Sequence, residues 1–289
     1  MPTKIEKDAI SGQETTGHEW DGIKELNTPL PKWWLYTFYA TIAFSLVYVV
    51  LYPAIPSFSG HTPGVLGYNS RVAVEERLAE ARARQAEFWD AIAAAELSEI
   101  AAEPARLNFA LTGGAAAFAD NCAPCHGQGG AGRPGGFPVL ADDAWIWGGA
   151  LDDIHTTLLH GIRNGGDEAR DSEMPAYADI LEPAQIEAVA DYVLSLSGAE
   201  HDGAGATAGQ EIYADNCAAC HGEAGEGLRE LGGPRLNDQI WLYGGSRDEV
   251  IRQIRQPRMG VMPGWQDRLD ASTIKMLTVY VHSLGGGEE

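Results

Sequence analysis

Cysteine is scarce in this chain, with four in 289 residues, too few for a disulfide-held scaffold of that length. Positive charge is scarce as well. Twenty Lys and Arg stand against 41 Asp and Glu, a formal net charge of −21. No stretch gathers basic residues, so the chain lacks the footprint of a nucleic-acid binder. Methionine occurs five times and histidine eight, which makes any recurring placement of either informative. Hydrophobic residues at 45% and charged residues at 21% are ordinary for folded protein and exclude a disordered, collagen-like or multi-span membrane chain.

What is present begins with one apolar run. Trp33 to Tyr52 contains no Asp, Glu, Lys, Arg or His. A helix of that length reaches about 30 Å, the thickness of a bilayer's hydrocarbon core. Trp33, Trp34 and Tyr36 at one end and Tyr48 and Tyr52 at the other fit interfacial aromatic belts, and Pro31 and Pro53 bound the run. A cleaved signal peptide fits less well. Its apolar region is about 7–15 residues long, and the acidic leader before Trp33 is unlike a basic n-region. Lys24 and Lys32 flank the start, whereas the first positive residue after the run is Arg71. This asymmetry predicts a cytoplasmic N-terminus and an outer, periplasmic bulk in a bacterial inner membrane. Residues 1–32 hold four Lys and six acids, a balance of −2, so −19 of the −21 falls to the outer part. Thr37, Thr41, Ser45 and Tyr48 share one helix face, which suits either helix–helix packing or a simple anchor.

The second half of the chain repeats the first. Gly114 to Gly127 reads GAAAFADNCAPCHG and Gly209 to Gly222 reads GQEIYADNCAACHG. Pro138 answers Pro234, Trp145 answers Trp241, and Trp147-Gly148-Gly149 answers Tyr243-Gly244-Gly245. Met174-Pro175 answers Met262-Pro263, and Tyr192 answers Tyr280. The expected organisation is all-α: an N-terminal tail (1–32), a transmembrane helix (33–52), a linker bearing an amphipathic helix (53–107), and two tandem domains at 108–199 and 200–289. His201 to Gly209, rich in Gly and Ala, reads as a flexible joint between the domains. In the linker, Leu78, Ala81, Phe88, Trp89 and Ile92 recur at helical spacing, Glu80 and Arg84 form an i,i+4 pair, and Pro104 ends the pattern.

Cys122-Ala-Pro-Cys125-His126 and Cys217-Ala-Ala-Cys220-His221 are both C-x-x-C-H, the attachment signature of c-type haem. Two thiols one helical turn apart can each bond a vinyl group of one porphyrin, and the next residue brings an imidazole to the iron. A zinc site would set its C-x-x-C pairs about 15–20 residues apart, and a thioredoxin-type pair does not call for the histidine. Disulfides within each pair would leave the repeated Met and His without purpose. The sixth ligand is expected from the second half of each repeat: Met174, 48 residues after His126, and Met262, 41 after His221. Met259 competes with Met262 but lacks the following proline. Met276, with Leu277 and Tyr280, reads as core. His155 and His160 are alternatives for the first haem. With imidazole and thioether on opposite faces, neither iron keeps an open site, which describes a carrier of electrons rather than a catalyst.

The repeats resemble class I cytochromes c. That resemblance implies crossing N- and C-terminal helices in each domain, Gly114 and Phe118 against Tyr192, and Gly209 and Tyr213 against Tyr280. It makes Pro138 and Pro234 the acceptors for the ligand histidines' other N–H. Arg235 and Arg258 are candidate propionate partners or solvated surface groups. The N-terminal pattern Gly17-His18-Glu-Trp20-Asp-Gly-Ile-Lys-Glu-Leu-Asn-Thr-Pro-Leu-Pro31-Lys-Trp33-Trp34 resembles the di-haem subunit (CcoP or FixP) of cbb3-type cytochrome c oxidase. This implies two covalently bound haems c and a non-catalytic place in a proton-translocating complex that reduces oxygen to water. Electrons would arrive from a donor cytochrome c or the bc1 complex. They would leave for a mono-haem cytochrome c subunit and the catalytic haem-copper subunit, with membrane lipid around the span. An acidic outer surface would steer a cationic donor. A di-haem subunit of another membrane oxidoreductase, or a di-haem peroxidase, are the alternatives.

Overall fold

The computed structural model describes residues 4–288. The chain divides into two compact units, one running through Arg84 and one from Gln85 onward.

The first unit opens with a hairpin the composition does not announce. β1 (Thr15–Trp20) pairs antiparallel with β2 (Ile23–Leu26), and Trp20 faces Ile23 across a two-residue turn. Asp21 and Gly22 both take positive φ, 49° and 86°, as the tight primed hairpin turns require. The Trp20 indole N–H donates to Glu25 Oε1 at 3.0 Å, and the Thr16 hydroxyl donates to Glu25 Oε2 at 3.1 Å. The signature residues thus fold on themselves. α1 (Lys32–Leu51) follows, has no buried residue and is long and apolar enough to cross a membrane. Its Ser and Thr hydroxyls are satisfied within the helix: Thr37 donates to Trp33 O, Thr41 to Phe38 O and Ser45 to Thr41 O, as groups facing a hydrocarbon medium must be. The chain then doubles back. Backbone N–H groups of Tyr52, Val65 and Leu66 donate to carbonyls of Tyr48, Val50 and Leu51, closing orphan acceptors at the helix end. Two short strands, β3 (Pro56–Ser57) and β4 (Gly60–His61), shape this return.

α2 (Ser70–Ala94) is the expected linker helix. Within the second unit its end buries Ile92 and half-buries Trp89; Phe88 stacks on Phe109 at 5.1 Å. Towards the other end the stripe is open, and Leu78 is 50% exposed. The Glu80–Arg84 pair forms at 3.9 Å between exposed side chains. α3 (Leu97–Ala102) starts at a capping box of Glu96 and Glu99, and α4 (Pro104–Asn121) at Glu103, whose carboxylate accepts from two backbone N–H groups. Pro104 is therefore the first residue of a helix, where its missing N–H costs nothing. It does not merely end the one before.

The remaining elements are α5 (Ala123–His126), α6 (Leu151–His160), α7 (Pro183–Leu196), α8 (Gly203–Asn216), α9 (Ala218–His221), α10 (Arg247–Arg255) and α11 (Ala271–His282). They cross over between the repeats. α4 packs on α11 and α7 packs on α8. Gly114 lies against the backbone of Met276 and the Cβ of Tyr280, and Gly209 lies against the backbone of Ala188 and Val189. Phe118 meets Tyr280 at 5.4 Å, and Tyr192 meets Tyr213 at 5.1 Å. This corrects the expected partners, Phe118 with Tyr192 and Tyr213 with Tyr280. Each crossing still has its close-approach glycine and its aromatic pair, but with the helix of the other repeat. The repeats are alike, so either partner satisfies the pattern.

The exchange also corrects the flexible joint. His201 to Gly209 is mostly the start of α8, capped by Asp202, whose carboxylate accepts from Ala204 N and Gly205 N. Its glycines serve close approach: Gly205 abuts the Asp191 carboxylate, and Gly209 the Ala188 carbonyl. Three clusters result. One joins Phe118, Cys122, Ile154, Leu158, Ile274, Leu277 and Val281. A second joins Ile186, Val189, Leu194, Tyr213, Val250 and Ile254. A third, with Ile92, Ile100, Ala110, Met276 and Val279, fastens α2 and α3 to α4 and α11.

Candidate functional site

Both C-x-x-C-H motifs fold alike. α4 ends as Cys122 takes its C-cap position, α5 carries the motif as one turn, and Gly127 closes it at φ 74°. α8, Cys217, α9 and Gly222, at φ 83°, repeat this. The turn sets the thiols at i and i+3 on one side, with the imidazole at their end. His126 Nδ1 lies 3.2 Å from Pro138 O, and His221 Nδ1 lies 2.9 Å from Pro234 O. With Nδ1–H donating to a carbonyl, Nε2 is left as an unprotonated ligand atom. Burial lowers the pKa of both histidines, while each prolyl carbonyl pulls the other way; the net direction favours the neutral ring, the form that binds metal. Burial also pushes the Cys122 and Cys217 thiols up to about 11.

The methionines are brought to these motifs crosswise. Met262 packs into the cluster with Cys122, Phe118 and Leu140. Two backbone hydrogen bonds hold it, Ile162 N to Met262 O and Met262 N to Ile162 O, both 2.9 Å. Met174 packs with Tyr213, Cys217 and Leu236, and three residues on the Tyr177 hydroxyl donates to Asn216 O at 2.6 Å. Chain order had matched Met174 with His126 and Met262 with His221; the packing sets each methionine in the cluster of the other motif's first cysteine. Met259 is 39% exposed, and Met276 is 2% exposed in the third cluster. His160 Nδ1 lies 3.3 Å from Glu168 Oε2 without hydrogen-bond geometry. His155 is half-buried on α6, and burial, then the Lys275 charge, lowers its pKa.

Arg170 escaped the sequence reading. Arg258 lies over the Tyr243 ring at 4.9 Å and donates to Tyr243 O at 3.1 Å. Arg170 lies over Trp147 at 5.4 Å. Position 170 precedes 258 by 88 residues, the same interval that separates Met174 from Met262, so the repeat itself was the signal. Arg170 Nη2 donates to Asp153 O at 3.1 Å and to Asp153 Oδ1 at 3.4 Å, while its Nε is buried with no partner among the described residues. Arg235 lines a cavity of about 220 Å³ with Trp145, Leu228 and Arg229.

These residues fit haem c on their own chemistry. Thiols sit at the right interval, each imidazole keeps one nitrogen free, and a thioether enters the same cluster as a motif cysteine. Two such sites on one mostly helical chain with a membrane-length helix define a di-haem c-type cytochrome.

Comparison with known proteins agrees along the whole length. Residues 12–59 match the N-terminal domain of cytochrome oxidase-cbb3, FixP; residues 111–197 match cytochrome c; residues 204–281 match cytochrome c oxidase, cbb3-type, subunit III. A cbb3-type cytochrome c oxidase subunit FixPc of Rhizobium leguminosarum bv. viciae is 51% identical, covering 97% of this chain and 98% of its own. The FixP subunit of Azorhizobium caulinodans is 53% identical over 97% of this chain and 96% of its own. That of Bradyrhizobium diazoefficiens is 49% identical over the full length of both. The chain belongs to the FixP/CcoP family of cbb3-type cytochrome c oxidase subunits, membrane-associated di-haem electron carriers. Its two cytochrome c domains accordingly carry two covalently bound haems c.

Proposed function

We propose that Cys122 and Cys125 bind one haem c and Cys217 and Cys220 the other, and that each iron is held by histidine from one repeat and methionine from the other. His126 pairs with Met262, and His221 with Met174. The observation carrying this is the placement of each methionine in the cluster of the opposite motif's first cysteine. Bound haem supplies a one-electron couple. The chain holds each imidazole through a prolyl carbonyl, and with His126, Met262, His221 and Met174 holding the two irons no position would remain for a substrate. A thioether opposite imidazole favours the ferrous state.

In this reading the subunit takes electrons from a donor cytochrome c or the bc1 complex. It relays them through both haems to a mono-haem subunit and then to the haem-copper subunit that reduces oxygen. The lysines before α1 and their absence just after it support a cytoplasmic N-terminus and periplasmic haems in a bacterial inner membrane. The −19 excess beyond the span supports attraction of a cationic donor, weakening as salt rises.

The test is a redox titration of the purified full chain. Met174→His is expected to lower the potential of the haem on Cys217 and Cys220, and Met262→His that of the haem on Cys122 and Cys125. Unchanged potentials in both variants would remove the ligand assignment.

A further inference from the structure

Arg163 follows α6 and Gly161, and takes φ 50°, a positive value rare outside glycine. Such a conformation persists where its surroundings enforce it. Its backbone N–H donates to Arg170 O at 2.9 Å. Its guanidinium then spans two loops: Nε donates to Gly260 O at 2.8 Å and Nη1 donates to Ser172 O at 3.2 Å. Those two carbonyls are equivalent positions of the repeat. Each stands two residues before a methionine, Gly260 before Met262 and Ser172 before Met174. One planar, rigid fork therefore ties together the loops that deliver both sulfur atoms, a geometry a single ammonium cannot copy.

We propose that Arg163 is a positioning residue shared by both haem sites, fixing the two methionine loops to each other so that one side chain sets how firmly sulfur covers each iron. The proposal rests on the methionine ligation above. Its acceptors are main-chain carbonyls, so the link is indifferent to the side chains at 172 and 260. Arg163 has no equivalent in the second repeat, where the connection before the methionine is shorter. It serves both sites from one position.

Arg163→Gly in the full haem-loaded chain is the test, since glycine accepts the positive φ while removing the guanidinium. Both reduction potentials are expected to move, in the same direction. The long-wavelength thioether-to-ferric charge-transfer absorption should weaken for both haems, and Arg163→Lys should restore part of each. Two unchanged potentials, or a change confined to one haem, would overturn the bridge. Should Arg163→Gly fail to take up haem, Arg163→Lys carries the test through the same pair of potentials. Met174→His and Met262→His are titrated alongside. If each shifts one potential while the Arg163 variants shift none, the bridge alone is wrong. If neither methionine variant shifts a potential, the ligation reading falls and the bridge with it.

Discussion

Asp191 on α7 is 1% exposed and accepts two parallel bonds from Arg247 on α10, Nε to Oδ1 and Nη2 to Oδ2, both 2.8 Å. Arg247 is 40% exposed, so the pair is lopsided. Arg247→Met strands a buried carboxylate and should cost about 3–5 kcal/mol. Asp191→Asn leaves a cation that water can reach and should cost less; denaturant unfolding compares the two. The bond from Arg247 holds the Asp191 carboxyl below its usual range. Its stabilising contribution is thus present above the unfolded carboxyl value and is lost as pH falls through the lower folded one. Equal costs for the two substitutions, or unfolding insensitive to acid in that window, would contradict this. Nothing in the repeat announces the pair, because the position equivalent to Asp191 is Val279. By contrast the C-x-x-C-H cysteines and histidines stood out through a short local spacing, and the prolyl acceptors through the resemblance to class I cytochromes c.

Helices were legible by period and cap, yet their partners were not. Gly114 and Gly209 told that a helix would come close at each, and Tyr192 and Tyr280 told which kind of helix. Two copies of one pattern carry no mark saying whose partner is whose. The Asp21-Gly22 turn was readable as a hairpin between Trp20 and Ile23 and went unread beneath the longer signature. Element docking also depends on one cation. Lys275 on α11 donates to Ala95 O at 2.8 Å and Ala93 O at 3.0 Å, closing carbonyls at the end of α2 as a positive group should. Lys275→Ala is expected to lower stability by about 1–3 kcal/mol. It should also raise hydrogen exchange at the α2 end near Ile92, leaving α7 and α8 unchanged. Uniform loss of protection in both helix pairs would place Lys275 in a different role.

At the scale of the molecule, α4 packs on α11 and α7 on α8, so under the crossed ligation proposed above neither haem site would be complete within one repeat. The first motif's cluster holds Met262 and residues of α11, and the second's holds Met174 and residues of α7. The C-terminal tail adds to the interlocking: Glu288 accepts from Gly149 N at 2.9 Å and pairs with Arg229, while the Trp145 indole donates to Gly286 O. Under that ligation the two sites are expected to load haem together rather than one by one, which haem staining of the full chain with one motif's cysteines replaced by alanine would check. The decisive measurement is the set of nuclear Overhauser contacts from ¹³C-labelled methionine methyls in the reduced full chain. The Met262 methyl should contact the haem whose thioethers lead to Cys122 and Cys125, and the Met174 methyl the haem on Cys217 and Cys220. Contacts from Met174 to the haem on Cys122 and Cys125 would contradict the crossed architecture.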